Sequence, residues 1–203
     1  TVKEDPRRRG LLFTGTERSV FVSFDDGDHW QPLQQNLPPA SMRDLVVHGD
    51  DLIVATHGRG FWIIDNMTLL RQISADVTKG NAYLFQPANA LLVTPGSDEG
   101  TPMPRDEPLA ENAPNGAIID YYLKSNASGP VTLEILDPAG EVIRKYSSED
   151  KGPQVNLETL NIPAYWIRPF EPLSTAAGMH RSIWDLRPTP PQRPSGSGGG
   201  GGG

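Results

Sequence analysis

The sequence predicts an all-β chain, and three observations predict it. Short runs of β-branched and aromatic residues recur between turn residues. Gly (21) and Pro (20) are both abundant for 203 residues. No stretch sustains the three-to-four-residue apolar period of a long helix; residues 68 to 77 offer a short helical turn at most. Composition also excludes. With 18 Lys+Arg against 25 Asp+Glu the formal net charge is -7, the wrong sign for a phosphate-backbone footprint, so no nucleic-acid partner is expected. The one basic run, Arg7-Arg8-Arg9, reads as an exposed turn. No apolar run approaches the roughly 20 residues of a membrane span, and no charged-then-apolar leader is visible. Cys is 0, which removes disulfides, thiolate catalysis and Cys-ligated metal, and suits an oxidising compartment.

The strands follow in order. Leu11 to Thr14 is an apolar run that stops at Gly15; Ser19 to Phe24 is a second, and Trp30 to Leu33 a third after a polar turn. Asn36 to Ala40 contains Pro38 and Pro39 and reads as a loop. Asp44 to His48, Asp51 to Thr56 and Gly60 to Asp65 are three further strands. Laying Phe13–Asp25 over Ile53–Asp65 aligns Thr16 with Thr56, Phe21 with Phe61 and Asp25 with Asp65. That 40-residue offset lies in the range of a four-stranded propeller blade.

Between the second and third runs, residues 23 to 30 fit Ser-x-Asp-x-Gly-x-x-Trp, the Asp-box pattern. Its spacing has a physical reading. Gly27 supplies a positive φ for the turn. Ser23 and Asp25 exchange hydrogen bonds with backbone groups the turn leaves unpaired. Trp30 opens the returning strand and folds its ring over the turn as an apolar lid. All four roles are structural.

Residues 94 to 112 change to Pro, Gly, Asp and Glu and read as a linker. A second β module begins near residue 113. Ile119, Tyr121 and Leu123 alternate with Ile118, Asp120 and Tyr122, and Val131, Leu133 and Ile135 with Thr132 and Glu134, so one dry and one wet face are expected. Asp137-Pro138-Ala139-Gly140 has the residue order of a type I turn, and Glu141 to Tyr146 returns as the partner strand. Residues 151 to 177, with Pro at 153, 163, 169 and 172, read as a surface crossover, and Met179 to Arg187 as a final strand. Residues 191 to 203 form a Pro/Gly-rich tail that cannot pack, either native or a linker.

Taken together, the segments Gly10–Glu17, the Asp-box, Arg43–His48 and Ala55–Arg59 with Phe61-Trp62 resemble the last blades of bacterial BNR/Asp-box repeat propellers. These are the sortilin-like or "photosystem II assembly factor-like" proteins. Asn112–Leu123, Tyr165–Arg168, Gly178–Arg181 and Trp184–Arg187 resemble the Ig/fibronectin-like module that follows such propellers. The resemblance implies two terminal blades over 1–93, a linker, an incomplete β-sandwich over 113–190 and a periplasmic or extracellular home. Two departures mark the chain as a fragment of something larger: two blades cannot close a ring, and Asp65 leads into Asn66-Met67-Thr68 rather than a Gly turn and Trp.

Asp-box propellers include glycosidases, so a catalytic reading has to be weighed. A sialidase-type site, as the resemblance would imply, needs an arginine cluster, a nucleophilic Tyr and a paired carboxylate. Arg18, Arg43 and Arg59 are scattered, and Tyr83 is the one Tyr before the linker, so no catalytic residue is assigned. The four His (29, 48, 57, 180) lack ligand spacing, and Asp25-Asp26-Gly27-Asp28 lacks the distal Glu of a calcium loop; no metal or cofactor is expected. Asn66–Thr68 and Asn126–Ser128 match a glycosylation triplet that is common by chance. Trp166 and Trp184 read as core rather than as a sugar platform. The expected function is a non-catalytic binding or scaffold part with a protein or carbohydrate ligand; the alternative is the supporting end of a carbohydrate-active enzyme whose catalytic residues lie upstream.

Overall fold

The computed structural model describes residues 1–92, 113–160, 162–167 and 169–190. The expected linker over 94–112 and tail over 191–203 lie outside them. Within the described residues the chain is mostly short strands in small antiparallel sheets.

The first sheet is a four-stranded meander in chain order: β1 (Val2–Glu4), β2 (Leu12–Gly15), β3 (Val20–Ser23) and β4 (Gln31–Pro32). β1 is three exposed residues, so it had no hydrophobic alternation to betray it. The second sheet repeats the meander with three strands, β5 (Met42–His48), β6 (Asp51–Thr56) and β7 (Phe61–Ile64). Instead of a fourth strand, the chain turns through Asn66 (φ 52) into the five-residue helix α1 (Thr68–Gln72).

Hydrogen bonding refines the repeat. Thr16 gives both its N–H and its hydroxyl to the carbonyl of Ser19, and Thr56 gives both to the carbonyl of Gly60. The two threonines are therefore equivalent, but the second hairpin loop is one residue longer. The offset is 40 residues on β2 and β6 and becomes 41 on β3 and β7. Phe13, opposite Val22, corresponds to Ile53, opposite Ile63. Asp25 then corresponds to Asn66 and not to Asp65, and Phe21 to Trp62 and not to Phe61, which corrects those parts of the sequence alignment.

The corrected correspondence shows which faces meet. Side chains alternate across a strand, so each sheet has two faces. The face of the first sheet carrying Phe13, Val20 and Val22 packs into one core with the face of the second sheet carrying Leu45, Leu52, Val54, Trp62 and Ile64. Those second-sheet positions correspond to Val2, Leu12, Thr14, Phe21 and Ser23, on the opposite face of the first sheet. The two repeats are thus stacked head to tail. Leu37, Met67 and Leu70 close the same core from the loops and α1. Gly15 permits the close approach: a Cβ there would stand 2.7 Å from the Met42 Cβ.

The second half holds β8 (Ala82–Leu84), β9 (Ala117–Leu123), β10 (Thr132–Leu136), β11 (Val142–Ser147) and β12 (Gly178–Trp184). They form a three-stranded sheet in the order β12-β9-β8 and a two-stranded sheet β10-β11. β8 lies inside the 1–93 stretch that the sequence grouped with the first half, yet it pairs with β9, Tyr83 facing Tyr122. The β10-β11 hairpin has its turn at Asp137, whose carboxylate accepts the Ala139 and Glu141 amides at 2.9 Å each. Gly140 takes φ 89, and the register shifts between Ile135 and Leu136. Tyr121, Leu123 and Leu173 form the buried centre, with Val131, Leu133 and Tyr146 against them from the other sheet.

The expected wet face of β9 is not wet. Ile118 and Asp120 are as buried as Ile119 and Tyr121. β9 is the central strand of its sheet, and Asp120 is covered by Arg181 of β12.

Candidate functional site

The turn between β3 and β4 brings together the four residues singled out from the sequence. The Ser23 hydroxyl is fully buried; it donates to Asp25 Oδ1 at 2.8 Å and accepts the Gly27 amide at 2.9 Å. Asp25 Oδ1 also accepts the His29 amide at 2.9 Å. Asp26 (φ 61) and Gly27 (φ 97) are successive left-handed residues, so the strain is shared by an Asp, one of the few residues that tolerate it. A Cβ on Gly27 would lie 3.7 Å from the Trp30 ring, which therefore covers the turn while staying 38% exposed.

Pattern reading missed His29. Its Nδ1 lies 2.6 Å from Asp25 Oδ2. The His29 amide, its ring and the Ser23 hydroxyl hold the Asp25 carboxyl down to about 2, and the Asp25 carboxylate in turn raises His29 above 6.5. Both side chains are open to water, so the pair is a local brace on the turn.

A second polar cluster joins the two sheets. Asp5, fully buried in the β1–β2 connection, accepts the Arg7 and Arg8 amides at 2.8 and 2.7 Å and both Nε and Nη2 of Arg71 from α1. Burial pushes the Asp5 carboxyl up, but the Arg71 guanidinium and the two amides outweigh it and leave it below its usual range. Arg71 also binds the Asp50 carboxylate and the Gly49 carbonyl in the β5–β6 turn. One side chain thus ties corresponding turns of the two meanders. Arg7 adds an ion pair to Asp50, and Arg8 donates to the Leu70 carbonyl and lies over the Phe24 ring. The arginine run is the exposed turn its charge suggested, with Arg7 and Arg9 exposed and Arg8 half-buried, and Arg7 and Arg8 also clamp the two sheets.

Arg181 connects the two halves. Its Nε and Nη2 form a forked pair with buried Asp120 at 2.8 and 3.1 Å, and its Nη1 and Nη2 donate to the Asp65 and Asn66 carbonyls at 3.0 and 2.9 Å. Four of five guanidinium donors are engaged, which makes Arg181 a latch. Beside it lies a cleft of about 270 Å³ bounded by Gln35, Met67, Leu70, Met179 and His180. The His180 ring nitrogen Nε2 already meets the Ala176 carbonyl at 2.7 Å. A hollow of about 400 Å³ in the second half is bordered by Tyr146, Asp150, Phe170 and Glu171.

The other candidates are dispersed. Arg18, Arg43 and Arg59 are exposed on different loops and strands, as are His48 and His57. Tyr83 packs edge-on to Phe85, 4.9 Å between ring centroids. Trp184 is half-buried, with its indole N–H on the Arg187 carbonyl. The Asn66 side-chain oxygen accepts locally from the Thr68 amide, and that of Asn126 accepts the distant Ala177 amide. Among the described residues no three His, Asp or Glu side chains converge as a metal site, and no helix is long and apolar enough to cross a membrane. No family model, curated protein or solved structure matches this chain.

Proposed function

We propose that this chain is a non-catalytic binding or scaffold part of a secreted or periplasmic Asp-box propeller protein: two terminal blades followed by an Ig/fibronectin-like module. The observation that carries this reading is the head-to-tail stacking of two equivalent meanders, because rotational repetition is how propeller blades pack and two-fold face-to-face packing is not. The Ser23–Trp30 turn supports it, since it sits between the third and fourth strands of a blade-like sheet and its polar side chains are engaged within the turn. On this reading a protein or carbohydrate ligand contacts loops at the ends of the strands, and Arg181 seats the second module against the last blade.

The test is a glycan array and a chromogenic glycoside panel run in parallel on this chain and on the parent protein. Glycan or protein capture without turnover is expected. Hydrolysis by this chain would overturn the reading; hydrolysis by the parent alone, lost on substituting an upstream carboxylate, would make the chain the supporting end of an enzyme.

A further inference from the structure

The two repeats carry an arginine at the same place. In the β2–β3 hairpin the Thr16 hydroxyl closes the loop on the Ser19 carbonyl, and in the β6–β7 hairpin the Thr56 hydroxyl closes it on the Gly60 carbonyl. The residue before each acceptor is Arg18 in the first and Arg59 in the second. The extra residue of the second loop therefore falls ahead of the arginine and leaves it in place. A third arginine lies between them. The Met42 amide donates to the Thr16 carbonyl and the His57 amide to the Ser41 carbonyl, so the start of β5 bridges the two loops. Arg43 is the extra residue of the bulge between Met42 and Asp44, a device that re-aims a side chain.

All three arginines are exposed. Among the described residues none of them is in an ion pair, whereas Arg7, Arg71 and Arg181 are. Of the acids beside them, Asp44 is held by Lys3 at 3.4 Å, which leaves Glu17 against three guanidinium groups. This end of the strands is thus cationic on a chain of net charge -7. The opposite end carries the Asp25–Asp28 and Asp50–Asp51 turns, with Arg7 and Arg71 committed to Asp50. Blades stack through their sheet faces, so loops at strand ends stay accessible whatever packs on either sheet.

Stacked sheets lie about 10 Å apart, so equivalent loops offer guanidinium groups at about that interval rather than at one point. The interval suits a ligand whose negative charges repeat along its length, and the planar guanidinium fork suits carboxylates. Glu17, His57, Gly58 and Gly60 around the arginines provide no apolar centre of the kind a protein partner buries. We propose that this end of the strands binds a linear acidic polysaccharide, Arg18 and Arg59 each pairing with a uronate carboxylate and Arg43 with one between them. The inference rests on the proposed binding function and narrows its carbohydrate ligand to a polyanion.

Calorimetric titration of the full chain with polygalacturonate, neutral dextran and polyglutamate is the test. Polygalacturonate should bind and dextran should not. Arg18→Gln and Arg59→Gln should each weaken binding about tenfold, the loss expected for one charge-assisted bond. Arg9→Gln is the same charge change at the other end of the strands and should leave affinity unchanged. All three positions are exposed, so folding, checked by circular dichroism, should survive. No binding of polygalacturonate, unchanged affinity in the Arg18 and Arg59 variants, or an equal loss in Arg9→Gln overturns the proposal. So does polyglutamate binding as tightly as polygalacturonate, which would make the partner an acidic protein. Capture of a neutral glycan or a protein alone would leave the binding function standing without this site. Hydrolysis by this chain would overturn the non-catalytic reading and leave the arginine site measurable.

Discussion

The two meanders of the first half use nearly the same residue classes at equivalent positions and bury them oppositely. Val20 is 1% exposed and its counterpart Phe61 77%; Val22 is 3% exposed and its counterpart Ile63 54%. The larger side chain is the more exposed in each pair. Hydrophobicity thus states what a position can bury, and the neighbouring sheet decides whether it does. The turns differ in the same way. The first sheet continues through the Ser23–Asp25–Gly27 brace into a fourth strand, whereas the second, with Ile64 and Asn66 at the first two positions, turns into α1 beneath the core.

Core truncation tests this contrast with the largest effect. Phe13→Ala should lower stability by about 3–5 kcal/mol, through lost burial and the cavity left behind, whereas Phe61→Ala should stay within about 0.5 kcal/mol. Urea unfolding of both variants at low protein concentration measures it, and equal losses would mean that the second-sheet face is covered. Removing the clamp comes next. Arg71→Leu leaves fully buried Asp5 with only its two amide donors and should cost about 3 kcal/mol at neutral pH. The pH dependence follows from Asp5 lying below its ordinary value of 3.8: the native contribution is complete above that pH and disappears as pH falls through the lower folded value. The gap between native and variant stabilities should therefore narrow on acidification below pH 3.8.

Smaller effects sharpen the comparison at the turns. Ser23→Ala removes a buried hydroxyl that both donates and accepts, and should cost about 1 kcal/mol, with the Gly27 amide exchanging faster with deuterium. His29 gives the smallest effect and the clearest sign. Its pKa is raised, so its part of the brace is present below 6.5 and is lost as pH rises through the folded value; the Asp25 part is present above 3.8 and is lost as pH falls through about 2. An NMR titration should place His29 above 6.5 and return it to its ordinary range in Asp25→Asn, with little change in global stability.

Much of the first half was legible because the relevant physics is local. Period-two runs at Val20–Ser23, Asp51–Thr56 and Phe61–Ile64 emerge as strands, and the Asp137–Gly140 hairpin closes where its turn residues require. The Ser23, Asp25, Gly27 and Trp30 cluster could be found because hydrogen-bond geometry within eight residues constrains residue type directly. His29 was one step from legible, since it sits four residues after Asp25, but a single exposed His in a turn carries no pattern. Arg71 and Arg181 carried no signal at all. Their partners, Asp5 and Asp50 for one and Asp120 with the Asp65 and Asn66 carbonyls for the other, are distant in sequence and meet only after the sheets have packed.

By itself, then, the sequence determined the all-β class, the position of most strands, the turn chemistry at residues 23–30 and 137–140, and a repeat near 40 residues. Those features rest on backbone preferences and side-chain alternation over a few residues. Tertiary structure alone decided that the repeat steps by 41 residues across β3 and β7, because one extra loop residue shifts the correspondence without changing either strand's composition. It also decided that β8 joins the second half, that Asp120 is buried, and which apolar side chains stay exposed. These are questions of what lies opposite a residue, and no local pattern encodes that neighbour.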